Sequence, residues 1–538
     1  MIRKLLNKKI DSITMAALMV GVSSLLSRLL GVVRDHILAG RFGAGNDLDI
    51  YYAAFRVPDM IFNLVVLGAL SAGFIPVFTQ LLKSDESRDK SWELVNNVLN
   101  VLAILMIVIV GVLFVFAGPL IKLITPGFGP EKLAQTVWLT RIMFLSPLLL
   151  GLSSVVGGVL QSYKRFLVYS LSPIFYNLGI IIGALFLVPR WGLVGLAWGV
   201  SLGSACHLLV QLPVIWNLGW RYQALLDWKN EQLGLIFKMM TARTLSLVIN
   251  QVNLLVETIF ASTLVSGSLA VFNLANNLQS FPVGIFGLSF AIAAFPAIAA
   301  SAFDKERLVY YFSKTLRQIF YFIIPSTVIL ILLRAQIVRL VLGSGKFDWS
   351  DTILTMNTMT FFAISLFAQA SIPLLVRFYY ARHDSRTPLY LGLCASVANI
   401  VLNYYFVRSS LGVAGLALSF SLSSILQFIL LFIFLRVELG ALDDRVMIKS
   451  IAKMLFAAVL SGLAIQVMKT WLGGSLELSF GWQLLVQFTI PAVTGLAIYV
   501  LATYYLKSPE ILNLLKHLKG RWPWRQVGAS DQGEARGI

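Results

Sequence analysis

Apolar stretches of about twenty residues or more recur along nearly the whole chain, each bounded by a short segment carrying charge, glycine or proline. A helix needs about twenty apolar residues to cross a bilayer, and only helices and closed barrels satisfy their backbone polar groups there. The stretches cover residues 13–40, 49–82, 95–118, 136–160, 166–188, 192–216, 238–263, 271–301, 310–333, 352–379, 387–407, 412–435, 449–471 and 481–506. They predict an all-α polytopic membrane protein with about 14 transmembrane helices. The opening MIRKLLNKKIDSITMAALMVG turns from basic to apolar without a small-residue cleavage site, so we expect a retained first span rather than a removed signal peptide.

Composition agrees with this pattern. Of 538 residues, 58% are hydrophobic and 13% charged, and the mean hydropathy is +0.82. A soluble domain carries about a quarter of its residues charged, so soluble, disordered and collagen-like classes are excluded. The net charge of +18 invites a nucleic-acid reading, but its placement argues otherwise. With a cytoplasmic N-terminus, the loops on that side hold 29 Lys and Arg against 10 on the other. That bias follows the positive-inside rule and predicts a multi-pass cytoplasmic-membrane protein with both termini cytoplasmic and no nucleic-acid partner. The basic segment 507–538 is expected to rest on anionic headgroups. Cys206 and Cys394 lie far apart within apolar runs and read as buried structural thiols. The four histidines have no metal spacing and there is no phosphate-binding Walker loop, so we expect a transporter rather than an enzyme. Its driving force would be Na⁺, H⁺ or the membrane potential, with no bound cofactor.

The chain also repeats itself. WGLVGLAWGVSLGSACHLLVQ from Trp191 matches LGVAGLALSFSLSSILQFILL from Leu411 at a spacing of 220. Tyrosine-plus-basic loops precede both, and Arg28 pairs with Arg243. Even-numbered spans align with even-numbered ones, which makes a parallel repeat. The expected organisation is an N-terminal lobe (1–220), a C-terminal lobe (221–440), two further helices (441–506) and the basic tail (507–538). Repeat-built transporters bind substrate at the repeat interface.

Charges at bilayer depth cost about 2.5–3.5 kcal/mol each on insertion scales, so they should face a cavity or a partner. Arg28, Arg56, Arg141 and Arg243 fall inside spans. Ser24, Ser27, Arg28, Gly31, Arg34 and Asp35 recur at three- and four-residue steps on one helix face. Arg56, Asp59 and Asn63 line the second span, Arg243, Asn250, Gln251, Asn253 and Glu257 the seventh, and Asn273, Asn276, Asn277 and Ser280 the eighth. These faces are expected to converge on a cationic inter-lobe cavity, because a desolvated guanidinium suits phosphate oxygens. The competing reading is internal pairing, Arg34 with Asp35 or Asp49 and Arg56 with Asp59. Arg141, near a span end, reads as snorkelling. Glu257 with Asn399, Asn403 and Ser419 offers hard oxygen ligands for Na⁺, or a carboxylate for a proton. Interhelical hydrogen bonding is the alternative there.

At these residues a resemblance appears. SRLLGVVRDHILAGRFGAGNDLDIYYAAFRVPD from Ser27, TPGF from Thr125, GGVLQSYKRF from Gly157, NQVNLLVETIFAS from Asn250, FPVGIFGLSFA from Phe281, GKFDWSDT from Gly345 and YARHDSRTP from Tyr380 resemble the lipid II flippase family, MurJ/MviN. That family belongs to the multidrug/oligosaccharidyl-lipid/polysaccharide exporter superfamily. The resemblance implies fourteen helices, alternating access and export of undecaprenyl-pyrophosphate-linked peptidoglycan precursor for cell-wall synthesis. It places the family's essential first-helix basic residues on Arg28 and Arg34, and its outer-mouth acid on Asp49. The chain departs from the family at Phe62, Asn63 and Leu67, where an arginine pair and a glutamate are usual, and at Asn276 and Asn277, where Asp-Arg is usual. Arg243 would restore one positive charge. The expected partners are a lipid-linked glycan, the bilayer and cell-wall synthesis enzymes. The rivals are an exporter of another lipid-linked oligosaccharide, a cation-coupled multidrug antiporter, whose acidic cavity Arg28 and Arg243 oppose, and a non-transporting scaffold.

Overall fold

The computed structural model describes residues 13–67, 73–82, 88–473 and 481–519, and among them there is no β-strand. The main helices are α1 (Ile13–Phe42), α2 (Asn46–Ile61), α3 (Arg88–Val115), α4 (Pro130–Met143), α5 (Leu145–Ser162), α6 (Phe166–Ile182), α7 (Leu193–Leu209), α8 (Glu231–Ser262), α9 (Ser268–Pro282) and α10 (Lys305–Leu332). They continue with α11 (Trp349–Ala363), α12 (Leu366–Ala381), α13 (Arg386–Phe406), α14 (Val413–Leu439), α15 (Asp444–Gly473), α16 (Gly481–Tyr505) and α17 (Pro509–Lys519). Among the described residues ten helical stretches are long and apolar enough to cross a membrane, or eleven when α11 and α12, bent by 46° at their junction, count as one. The three expected spans outside that set are the first, second and seventh. Their sequences carry Arg28, Arg34 and Asp35; Arg56 and Asp59; and Arg243 and Glu257. Fourteen crossings are consistent with this.

Backbone detail repeats between the halves. Left-handed residues recur as Lys164 and His383, Gly192 and Gly412, and Gly219 and Gly440, at spacings of 219, 220 and 221. A π-helical segment at Phe62–Leu67 recurs at Val283–Leu288. The break after α3, followed by the short helix Ala117–Ile124, recurs after α10 with Arg334–Leu342. Such irregularities are costly where nothing holds them, so their coincidence marks a repeated packing plan.

The described residues form two compact units. The first draws on Met1–Leu274, Val341–Thr358 and Ser396–Ser419, the second on Ala275–Leu340, Met359–Ala395 and Phe420–Ile538. In the first unit α6 packs on α1 and α7, and α5 on α3 and α7. The α6–α7 crossing is backbone on backbone: an added Cβ at Gly199 would come within 2.6 Å of the Gly183 Cα. Small residues let helices approach closely where no hydrophobic effect drives them together. In the second unit α15 packs on α16 and α10, with Ile465, Ala492 and Leu333 at the contact.

A polar strap also belongs to the first unit. Asn97 Nδ2 donates to the Asp227 carbonyl (2.8 Å) while its Oδ1 accepts the Asp227 N–H (2.8 Å). Asn96 accepts from the Trp220 indole (3.0 Å) and donates to the Arg221 carbonyl (3.0 Å), and Asn100 donates to the carbonyls of Gln223 and Leu225. Three asparagines on α3 thus satisfy the backbone of an extended linker that has no secondary structure of its own.

Candidate functional site

In α1, successive polar residues face different partners. Ser23 accepts from Ser170 (3.0 Å), and Ser27 and Arg34 meet Asn177 on α6. The Arg34 guanidinium is bound by Asp35 Oδ1 (2.8 Å) and by Asn177 Oδ1 (3.1 Å). Internal pairing therefore holds Arg34, while Asp49 lies elsewhere. Arg28 differs: it is exposed, and among the described residues nothing pairs with its guanidinium.

Arg56 on α2 does not pair with Asp59. Its Nε donates to the Thr258 hydroxyl (2.8 Å) and its Nη2 to Asn273 Oδ1 (2.8 Å), tying α2 to α8 and α9. Asp59 instead accepts from Asn63 Nδ2 (3.1 Å), one helical turn on. Beside Thr258, Glu257 is buried (2% exposed), and its Oε1 has no hydrogen-bond partner among the described residues.

Asp49 is a carboxylate held by three donors. It is 2% exposed and accepts from Lys132 Nζ (2.8 Å), the Gly267 N–H (2.7 Å) and the Ala270 N–H (2.9 Å). The last two are free amides at the start of α9, where the helix dipole favours an anion. Lys132 also sits over the Phe128 ring at 4.1 Å, which brings the TPGF segment into the same contact. Nearby in sequence, Asp351 Oδ2 accepts the Ala44 N–H (2.9 Å), the Lys346 N–H donates to the Gly40 carbonyl (2.7 Å), and His36 Nδ1 lies 2.7 Å from the Val341 carbonyl. The GRFGAGND and GKFDWSDT segments, separate motifs in sequence, are therefore one latch.

Asn403 Nδ2 donates to Asn399 Oδ1 (3.0 Å) on α13, and both are buried. The Asn403 Oδ1 has no partner among the described residues, whereas the Ser419 hydroxyl bonds back to the Gly415 carbonyl (3.0 Å). Gln251 is half-buried on α8. The side chains of Arg243 and Asn250 lie outside the described residues. In the second unit Asn277 is exposed, and Asn276 accepts from Gln279 (2.9 Å). Arg141 donates to the Phe114 carbonyl (3.3 Å) and stacks on that ring at 5.2 Å, a span-end contact as expected for snorkelling.

Two findings depart from the sequence reading. Cys394 is exposed and Cys206 only half-buried, so neither thiol is core. An apolar residue of a membrane helix is stable facing lipid, and hydrophobicity alone does not place it inside. The second unit also contains an apolar groove of about 1220 Å³ between α10, α14 and α15. Its lining is hydrophobic apart from Thr327, Gln466 and the Arg436–Asp444 ion pair (3.0 Å). No single residue signals it, because it exists only where three apolar helices leave a gap.

The family model for lipid II flippase MurJ matches residues 38–502. A relative in Buchnera aphidicola subsp. Acyrthosiphon pisum, described as a probable lipid II flippase MurJ, is 31% identical over 422 residues, covering 77% of this chain and 81% of the relative. One in Thermotoga maritima with the same description is 28% identical over 497 residues, covering 92% and 97%. Among solved structures, a lipid II flippase MurJ in an inward closed conformation superposes with a TM-score of 0.76 at 22% identity, over 93% of this chain and 100% of that one. An inward-facing multidrug-resistance MATE transporter superposes with a TM-score of 0.66 at 16% identity, over 80% and 99%. The two structural likenesses speak for the fold alone.

Proposed function

The chain belongs to the lipid II flippase MurJ family, and from that premise we propose how its own residues move the undecaprenyl-pyrophosphate-linked peptidoglycan precursor across the cytoplasmic membrane. The observation that carries the reading is Arg28. It is a cation within the first membrane helix, with no partner among the described residues, and a charge there needs a ligand or a wet cavity. A pyrophosphate supplies the ligand, since guanidinium donors match phosphate oxygens. Arg34, neutralised by Asp35, and Arg56, bonded to Thr258 and Asn273, hold the helices in place while Arg28 makes the contact. Arg243, on α8, adds a second ligand cation in place of the family arginines this chain lacks. Gln251, Asn276 and Asn277 contribute neutral contacts to the headgroup.

The apolar groove suits the polyprenyl tail, which needs a lipid-like surface while the headgroup crosses. Glu257 Oε1 and Asn403 Oδ1 are buried acceptors without donors, a combination suited to a cation. Glu257, Asn399 and Asn403 would hold Na⁺, with protonation of Glu257 as the alternative, and such an ion supplies the coupling to a gradient. Both termini are cytoplasmic on the charge bias of the loops. The partners of the cycle are the lipid-linked glycan and the enzymes that make and polymerise it.

The test is flipping of fluorescent lipid II in proteoliposomes, read by an external quencher. Loss of a hydrogen-bonded ion contact lowers affinity about tenfold to a hundredfold, so Arg28→Ala should slow flipping at low substrate by that order. Replacing Na⁺ with K⁺ should slow wild type and leave Glu257→Gln unchanged. Wild-type flipping no faster than protein-free vesicles would overturn the reading.

A further inference from the structure

A directed chain of hydrogen bonds runs through the second unit and ends on Asn276. The Ser421 hydroxyl donates to the Phe361 carbonyl (2.6 Å), and the Ser365 hydroxyl donates to Ser421 Oγ (2.9 Å). Gln369 Nε2 donates to Ser365 Oγ (2.8 Å), which leaves its Oε1 to accept from Gln279 Nε2 (3.3 Å). Gln279 Nε2 also donates to Asn276 Oδ1 (2.9 Å). Gln279 is 1% exposed and Ser365 and Ser421 are fully buried, so none can turn to water instead. Gln279 makes both of its bonds through Nε2, and its buried Oε1 has no partner among the described residues. At the end of the chain the Asn276 oxygen is occupied. Its Nδ2 hydrogens have no acceptor among the described residues, and the residue is only half-buried.

We infer that Gln279, braced by Gln369, is a positioning residue that sets the Asn276 amide so that it presents two donors to acceptor oxygens of the substrate. The internal repeat separates this from scaffolding. Ser421 has its counterpart in Ser201, whose hydroxyl donates to the Ile142 carbonyl (3.3 Å) as Ser421 does to Phe361. That step belongs to the common packing plan. Gln279 and Gln369, by contrast, correspond to Pro58 at the spacing of 221 and to Leu150 at the 219 that relates Phe361 to Ile142, and these can form no such relay. The amide steps were added to one half only, next to residues that face outward. Neutral amide donors bind acceptor oxygens without a counter-charge, and the lipid-linked headgroup offers them both as pyrophosphate and as acetamido or peptide carbonyls.

The inference rests on the flippase reading, and the experiment separates the two. Binding of undecaprenyl pyrophosphate and of lipid II is measured on purified wild type, Asn276→Asp and Gln279→Met, with thermal unfolding alongside. Asn276→Asp keeps the acceptor that Gln279 uses but puts a negative charge where it removes the outward donors, so the uncharged Gln279→Met decides whether a loss reports the donors or charge repulsion. Asn276→Asp should unfold like wild type yet bind about tenfold or more weakly, the scale of a lost hydrogen bond to an anion. Gln279→Met, which adds no charge, should weaken binding about threefold to tenfold per folded molecule by freeing the Asn276 amide to turn. Loss on both ligands assigns the donors to pyrophosphate, and loss on lipid II alone assigns them to the sugar and peptide carbonyls. Variants that unfold earlier but bind within twofold of wild type would show packing only and overturn the inference. Wild type binding neither ligand would overturn the flippase reading and this inference with it.

Discussion

At the scale of single residues, burial and partners separate charges that look alike in sequence. Asp49 and Lys132 form one ion pair, yet their losses should be unequal. Asp49→Ala leaves a half-buried lysine and two helix-start amides without an acceptor, whereas Lys132→Met leaves a carboxylate still held by two N–H groups. Breaking a buried pair costs about 3–5 kcal/mol when the remaining charge is uncompensated. Asp49→Ala should fall in that range and Lys132→Met well below it, read as the difference in chemical unfolding in detergent. Equal losses would contradict the three-donor cradle described for Asp49. The sequence made Asp35 a candidate partner for Arg34 because the two are adjacent, and it left Asp49 open because Lys132 lies 83 positions away. Arg56 bonds past its one-turn neighbour Asp59 for the same reason: Thr258 and Asn273 come from helices more than two hundred residues distant.

At the scale of elements, helices were legible and what fastens their ends was not. Apolar runs placed the long helices, with starts up to seven residues late at α3 and α8, because length and hydropathy are local properties. The α3 strap escaped notice: the partners of Asn96, Asn97 and Asn100 are mainly backbone groups of the 220–227 linker, which no sequence pattern marks. Asn96→Ala would leave the buried Trp220 indole N–H unpaired, an expected loss of about 1–3 kcal/mol measurable by thermal unfolding. The start of α13 is a second fastening. Asp384 Oδ1 accepts the N–H of Arg386 (2.9 Å) and of Thr387 (3.0 Å). Partial burial pushes its carboxyl up, but hydrogen bonds from the Thr387 side chain and these amides outweigh that and hold it below the ordinary value. A carboxyl lowered by folding adds stability that is complete above its unfolded pKa of about 3.9 and is lost as pH falls through the folded value. Asp384→Ala should therefore cost about 1 kcal/mol near neutrality, and the gap to wild type should close at strongly acidic pH. A gap independent of pH would contradict the assignment.

At the scale of the whole molecule, the repeat was legible because it survives in short glycine-rich matches, and the backbone carries it further than the residues do. Paired left-handed positions and paired π-helical segments persist where side chains have diverged. Divergence is concentrated in the polar faces: Arg34 is neutralised by Asp35 in one half, while Glu257 and the Gln279 relay have no equivalent partners in kind in the other. The groove was invisible in sequence, since apolar residues that line a gap and those that face lipid are the same residues. The central claim is that a lone guanidinium in the first helix captures a lipid pyrophosphate. The most direct measurement is rescue of a bacterium depleted of its own lipid II flippase, comparing wild type with Arg28→Ala and Arg28→Lys at matched membrane abundance. The account predicts rescue by wild type, loss with alanine, and partial function with lysine, which keeps the charge without the planar fork. Full rescue by Arg28→Ala would contradict it.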